Sequence, residues 1–156
     1  MTLNHNWFLN ATGQFTPIGS GQINLSTTTT TGFLTYLTKA TTADITISTT
    51  SYTDGPSVSQ GSSGTWLASG TITLESSVAA SLTFLQLWDG TTTIASCETN
   101  IAGLLDATSA SLSGVISSPA GNLRISGRVN SGGSAIMRFN NSGLSADCTL
   151  TAIRIG

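Results

Sequence analysis

Trp66-Leu67-Ala68-Ser69-Gly70-Thr71-Ile72-Thr73-Leu74-Glu75 is the stretch that decides the class of fold. Trp66, Ala68, Ile72 and Leu74 fall on one side of an extended chain, and Thr71, Thr73 and Glu75 on the other, the period of two of a half-buried strand. Downstream, Leu82-Thr83-Phe84-Leu85-Gln86-Leu87-Trp88 and Thr91-Thr92-Thr93-Ile94-Ala95-Ser96-Cys97 flank Asp89-Gly90. Asp-Gly between two strand patterns predicts a hairpin with a type I′ turn, which needs positive φ at both residues. Further strands are expected at 108–116, 122–129, 134–139 and 147–155. Their separators are Pro119-Ala120-Gly121-Asn122, Ser131-Gly132-Gly133 and Asn140-Asn141-Ser142-Gly143.

Upstream, Gln22-Ile23-Asn24-Leu25-Ser26 and Ala43-Asp44-Ile45-Thr46-Ile47-Ser48 alternate strictly, and Gly32–Thr38 reads as a more apolar strand. Ser51–Gly64 is rich in Ser and Gly and carries Asp54-Gly55-Pro56, so 51–64 is expected to be a loop. About ten short strands with frequent turn signals specify an all-β chain, an antiparallel β-sandwich with a jelly-roll-like layout. The expected organisation is one sandwich domain over 21–156, best defined over 65–156. An extended N-terminal docking arm, 1–20, precedes it. That arm holds Trp7, Phe8 and Phe15 among Asn, Thr and Gly, too few apolar groups to fold alone.

Composition narrows the function. Of 156 residues, 50 are Ser or Thr and 17 are Gly, and only 8% are charged, against about 25% in ordinary domains. The chain is nevertheless 38% apolar with a net charge of −2. Disorder goes with the opposite combination, so this is a folded protein whose polar skin is made of hydroxyls. One lysine and four arginines cannot line a groove that tracks phosphates, so no nucleic acid is expected as a partner. No apolar run is long enough to span a membrane. The N-terminus lacks the basic and apolar regions of a secretory signal. Either the mature form has lost a leader, or the protein leaves the cell by another route, such as release of a virus particle by lysis.

Catalytic constellations are absent from the pattern. The one histidine, His5, lies in the arm with no acid nearby in sequence, whereas a triad needs a histidine held by a packed acid. None of the acids, Asp44, Asp54, Glu75, Asp89, Glu98, Asp106 and Asp147, is embedded in an aromatic-rich run that would suit glycoside hydrolysis. One His and two Cys are too few for a standard zinc site, so neither metal nor cofactor is expected. Three glycosylation sequons occur, about the number chance gives among so many hydroxyls. Threonine runs at 27–31 and 91–93 are too isolated to make a regular ice-binding array. Cys97 and Cys148 fall in strand patterns and are expected to be free core thiols. Trp66 and Trp88 are both expected in the core. Arg124 and Arg128 share one strand face while Leu123, Ile125 and Val129 take the other. Arginine is enriched and lysine depleted at subunit interfaces, so Arg124 and Arg128 join Trp7, Phe8 and Phe15 as interface candidates.

The stretches Thr65–Leu74, Leu87-Trp88-Asp89-Gly90-Thr91-Thr92, Ser117–Ser126 and Leu150-Thr151-Ala152-Ile153-Arg154-Ile155 resemble small β-sandwich proteins encoded in tailed phages and prophages. The resemblance covers about 65–156 and is one of pattern, with no catalytic or binding motif to carry over. It implies a jelly-roll virion module, often trimeric: a fibre, spike or capsid-decoration protein. A short chain without heptads or fibrous repeats favours a capsid-surface decoration protein, non-enzymatic and homotrimeric. Its expected partners are its own copies and the capsid shell, and its expected location is the virion, assembled in the host cytoplasm and released by lysis. The alternative is a tail fibre or spike module that binds a receptor or a host surface glycan.

Overall fold

A computed structural model describes residues 7–9, 15–17, 35–48, 50–78, 81–130 and 133–156, the first two of these stretches by backbone alone. The chain divides into two compact units, Met1–Phe33 and Leu34–Gly156. In the first unit β1 (Trp7–Leu9) pairs antiparallel with β2 (Phe15–Pro17), Trp7 opposite Pro17 and Leu9 opposite Phe15. The segment read as an extended arm thus contains a short hairpin. The strand expected at Gln22–Ser26, His5, and the burial expected for Trp7, Phe8 and Phe15 lie outside the described residues.

The second unit is an all-β sandwich of ten strands: β3 (Tyr36–Ala40), β4 (Ile45–Ile47), β5 (Thr53–Val58), β6 (Thr65–Ser76), β7 (Ser81–Trp88), β8 (Thr93–Ile101), β9 (Ala107–Ser117), β10 (Leu123–Val129), β11 (Ala135–Met137) and β12 (Thr149–Arg154). One antiparallel sheet runs β5-β10-β7-β8. The other is built around the twelve-residue β6. Along one side β6 pairs with β9 for its whole length; along the other it pairs first with β12 and then with β11. β3 and β4 complete that sheet beyond β12 and β11.

The alternation read in Trp66–Glu75 sets this layout. Trp66, Ala68, Ile72 and Leu74 point inward and are buried, and the Trp66 indole donates to the Ser63 carbonyl at 2.9 Å. Leu85 and Leu87 of β7, Leu123, Ile125 and Val129 of β10, Met137 and Leu150 meet them from both sheets. Each such side chain contributes about 1.5–3 kcal/mol by leaving water. Gly70 lets β6 and β12 approach, because a Cβ there would overlap the Thr149 carbonyl oxygen. Cys97 is half-buried, Cys148 is buried, and both are free.

Three expectations are corrected. The stretch 51–64 is not all loop, because Thr53–Val58 is the edge strand β5. Its Asp54-Gly55-Pro56 makes a bulge instead of a turn: Asp54 stands opposite Ser126 and Ser57 opposite Arg124, so Gly55 and Pro56 together face Ile125. Pro is tolerated because one side of an edge strand has no ladder partner for its missing N–H. Asp89-Gly90 does not form a type I′ turn. Gly90 has φ +95°, but Asp89 is not among the residues with positive φ, and residues 89–92 form a longer loop closed by the Asp89 side chain. Trp88 is not a core residue. It shares the outward phase of Leu82, Phe84 and Gln86, and is half-buried.

Candidate functional site

The outer face of the four-stranded sheet carries a connected set of polar and aromatic groups. Its layout follows from register. β10 turns Leu123, Ile125 and Val129 inward, so Arg124, Ser126 and Arg128 point outward. Opposite them on β7 stand Trp88, Gln86 and Phe84, pair by pair. On the other flank, Asp54 of β5 stands opposite Ser126, and Tyr52 precedes that strand. The result is a ladder in which guanidinium groups and rings alternate.

Two clusters make up the ladder. In the first, the Arg124 guanidinium lies 4.8 Å from the Trp88 ring centroid and its Nη1 is 3.3 Å from Asp54 Oδ2. The Trp88 indole N–H donates to Ser126 Oγ at 2.6 Å, and the Ser126 hydroxyl donates to Asp54 Oδ1 at 2.5 Å. Ser126 is fully buried beneath these groups, so indole, hydroxyl, carboxylate and guanidinium form one closed chain. In the second, the Arg128 guanidinium lies 4.1 Å from the Phe84 centroid and 5.5 Å from that of Tyr52. Tyr52 and Trp88 join the clusters, their centroids 6.4 Å apart and their planes tilted by 43°. Cation–π contacts of this kind contribute about 0.5–1 kcal/mol when exposed and more when dry. The Arg124–Asp54 pair is half in water and is worth little by itself.

The loop beside the ladder is held by Asp89. Its carboxylate accepts the N–H groups of Thr91 (2.8 Å), Thr92 (2.6 Å) and Ala120 (2.7 Å). Burial works to raise this carboxyl, but the N–H groups of Thr92, Ala120 and Thr91 outweigh it and hold the carboxyl below its ordinary value. Gly90 then passes directly under Arg124, leaving no room for a Cβ.

The outer face of the other sheet is of a different kind. Val115 of β9 stands opposite Leu67 of β6, Leu67 opposite Ile153 of β12, and Ile153 opposite Tyr36 of β3. This apolar row crosses four strands, roughly 14 Å at the usual strand spacing. The next row is Ser113, Ser69, Thr151 and Thr38, and the next Ser111, Thr71, Thr149 and Ala40. Hydroxyls bond across it, as at Thr65–Ser117 (3.0 Å) and Thr151–Thr38 (3.1 Å). Between Thr65 and Thr73 and along the strands paired there, no outward side chain among the described residues is charged.

Of the sequence-derived candidates, Arg124 and Arg128 stand together on the expected face. Tyr52, Asp54, Phe84, Trp88 and Ser126 were missed. The apolar residues of 82–88 occupy both phases of the strand, and the pairing of β7 with β10 is not written in either segment. The other arginines are engaged elsewhere: Arg138 with Asp44 (2.6 Å) and Glu75 (3.6 Å), and Arg154 with the Gly156 carbonyl (3.2 Å). The described residues contain no group of three metal-ligating side chains, and no helix long and apolar enough to cross a membrane.

No family model matches the chain, and no curated protein sequence does. Solved structures match it in fold. The chain is similar to Eiger TNF from S. frugiperda at TM-score 0.54 and 12% identity, over 79% of this chain and 93% of that one. Weaker likenesses are the C-terminal CBM6 of LamC from Zobellia galactanivorans (TM-score 0.40, 17% identity, 77% of this chain and 100% of that one) and infectious bursal disease virus, Gt strain (TM-score 0.34, 15% identity, 92% of this chain and 40% of that one). At such identities the likeness is one of fold alone. The chain is an all-β, jelly-roll-like sandwich of two antiparallel sheets.

Proposed function

We propose that this chain is a non-enzymatic structural protein of a tailed-phage virion, a capsid-surface decoration protein acting as a homotrimer. The observation that carries this reading is the uncharged region on the outer face of the larger sheet, between Thr65 and Thr73 and along β9, β12 and β3 beside it. A flat hydroxyl-rich surface crossed by the row Val115, Leu67, Ile153 and Tyr36 suits contact with another protein surface, because the cores of interfaces are depleted of charge. The reading is tested on particles purified from a lysate. The chain is expected at fixed copy number on the capsid, visible by cryo-electron microscopy and by mass spectrometry. Ser69→Glu places a charge in the middle of the uncharged face and is expected to strip the protein from the particle without unfolding it. Absence of the chain from purified particles would overturn the proposal.

A second reading is favoured by the opposite face. The ladder of Trp88, Arg124, Phe84, Arg128 and Tyr52 offers rings and a guanidinium on an open sheet, the equipment of a receptor- or glycan-binding tail fibre or spike module. Location on the tail and not the capsid in the same cryo-electron micrographs would select it.

A further inference from the structure

We propose that Arg128, with the rings of Phe84 and Tyr52, forms a binding site for the carboxylate of an acidic saccharide, an inference that rests on the glycan-binding reading of this face. The carrying observation is a difference between two neighbours. Arg124, Arg138 and Arg154 each have an oxygen acceptor within 3.6 Å. Arg128 has none among the described residues, and its recorded partners are two aromatic rings. The two rings hold the guanidinium, 4.1 Å from the Phe84 centroid and 5.5 Å from that of Tyr52, and no acceptor among the described residues takes its N–H groups. A fixed planar fork matches a carboxylate through two parallel hydrogen bonds, and holding it in place beforehand lowers the entropy lost on binding.

The surroundings select the class of carboxylate. Arg124 is paired with Asp54, which leaves Arg128 as the cation of this face without an oxygen acceptor among the described residues. Glu98 stands opposite Phe84 on the far side of β7 and opposes a polyphosphate, which would need several cations in a row. An extended peptide would pair with a strand edge through its backbone, but the groups here project from the face of the sheet, and the β5 edge is broken by its bulge. Across β7 from Arg128, on β8, Ser96 and Asn100 are exposed on either side of the exposed Glu98. The exposed Tyr52 ring, one guanidinium without an acceptor and the hydroxyl and amide groups of Ser96 and Asn100 fit a sugar ring bearing a single carboxylate, and Glu98 disfavours a ligand with dense negative charge.

The test is titration of the full-length protein with trigalacturonate, with a neutral trisaccharide and with triglutamate, followed by calorimetry and tryptophan fluorescence. Trigalacturonate is expected to bind at least tenfold more tightly than either of the others. Arg128→Gln is expected to lose about tenfold or more, the usual result of removing a charged hydrogen-bond partner, while staying folded by circular dichroism with a melting temperature lowered by only a few degrees. Arg128→Lys, which keeps the charge and loses the planar fork, is expected to fall between, so the test survives if the glutamine variant does not fold. Equal binding of the neutral trisaccharide that Tyr52→Ala abolishes would overturn the carboxylate site and leave the glycan-binding reading standing. Failure of both saccharides would overturn both. Triglutamate binding as tightly as trigalacturonate, or unchanged binding by both Arg128 variants, would also overturn the inference.

Discussion

Asp89 shows how a single side chain can define a loop. It is 3% exposed and gathers three backbone N–H groups from two separate turns. Asp89→Ala leaves those donors short of an acceptor and is expected to cost about 1–3 kcal/mol, read from urea denaturation. Its lowered carboxyl also has a pH signature. The unfolded chain takes up this proton first, so the contribution is complete above the unfolded value of about 3.9 and is lost as pH falls through the lower folded value. The difference in melting temperature between the wild type and Asp89→Asn is therefore expected to be constant near neutrality and to shrink below about pH 4. Gly90 follows with φ +95° and Arg124 against it. Gly90→Ala should cost about 1 kcal/mol or more and shift the fluorescence of Trp88 as Arg124 is displaced. The thiols are a contrasting case. Burial pushes Cys148 up to about 11 and also raises Cys97. A reductant is expected to leave the melting temperature unchanged, and a fall on reduction would reveal a bridge.

At the scale of the element, β6 was legible and β5 was not. In β6 the inward positions are apolar or small and most outward ones carry hydroxyls, so local pattern and global burial agree. At Gly70 that strand comes close to the backbone of its neighbour β12. Gly70→Ala is expected to cost about 1–3 kcal/mol by pushing β12 away, measured by chemical denaturation. In β5, Asp54-Gly55-Pro56 has the composition of a turn, yet it is held extended by its ladder with β10, and the unpaired Gly55 and Pro56 are absorbed as a bulge. β7 failed differently. Leu82, Phe84 and Trp88 on one phase compete with Leu85 and Leu87 on the other, and a one-residue slip exchanges the two faces. The choice is made by partners: Leu85 and Leu87 join the inner packing with Ile125 and Leu123, and the larger rings are left outside, where Arg124 and Arg128 cover them.

For the whole molecule, the division at residue 33 carries its own expectation. The unit Leu34–Gly156 has a core drawn from both of its sheets. Deleting residues 1–20, or the whole of 1–33, is expected to leave that sandwich folded by circular dichroism while abolishing particle binding or oligomerisation. Undiminished occupancy of the particle by the truncated protein would sink the docking-arm proposal. Light scattering is expected to give the mass of a trimer, and a monomer at micromolar concentration, with no higher species on the particle, would refute it. The sequence alone determined that this chain is an antiparallel sandwich with a hydroxyl skin, because strand alternation and the scarcity of charge are local properties, readable without knowing any partner. It also placed Arg124 and Arg128 on one face. Only the tertiary structure decided what they meet. Tyr52, Asp54, Phe84 and Trp88 reach them through strand pairings between segments far apart in the chain, and which phase of β7 faces inward is fixed by the side chains it packs against.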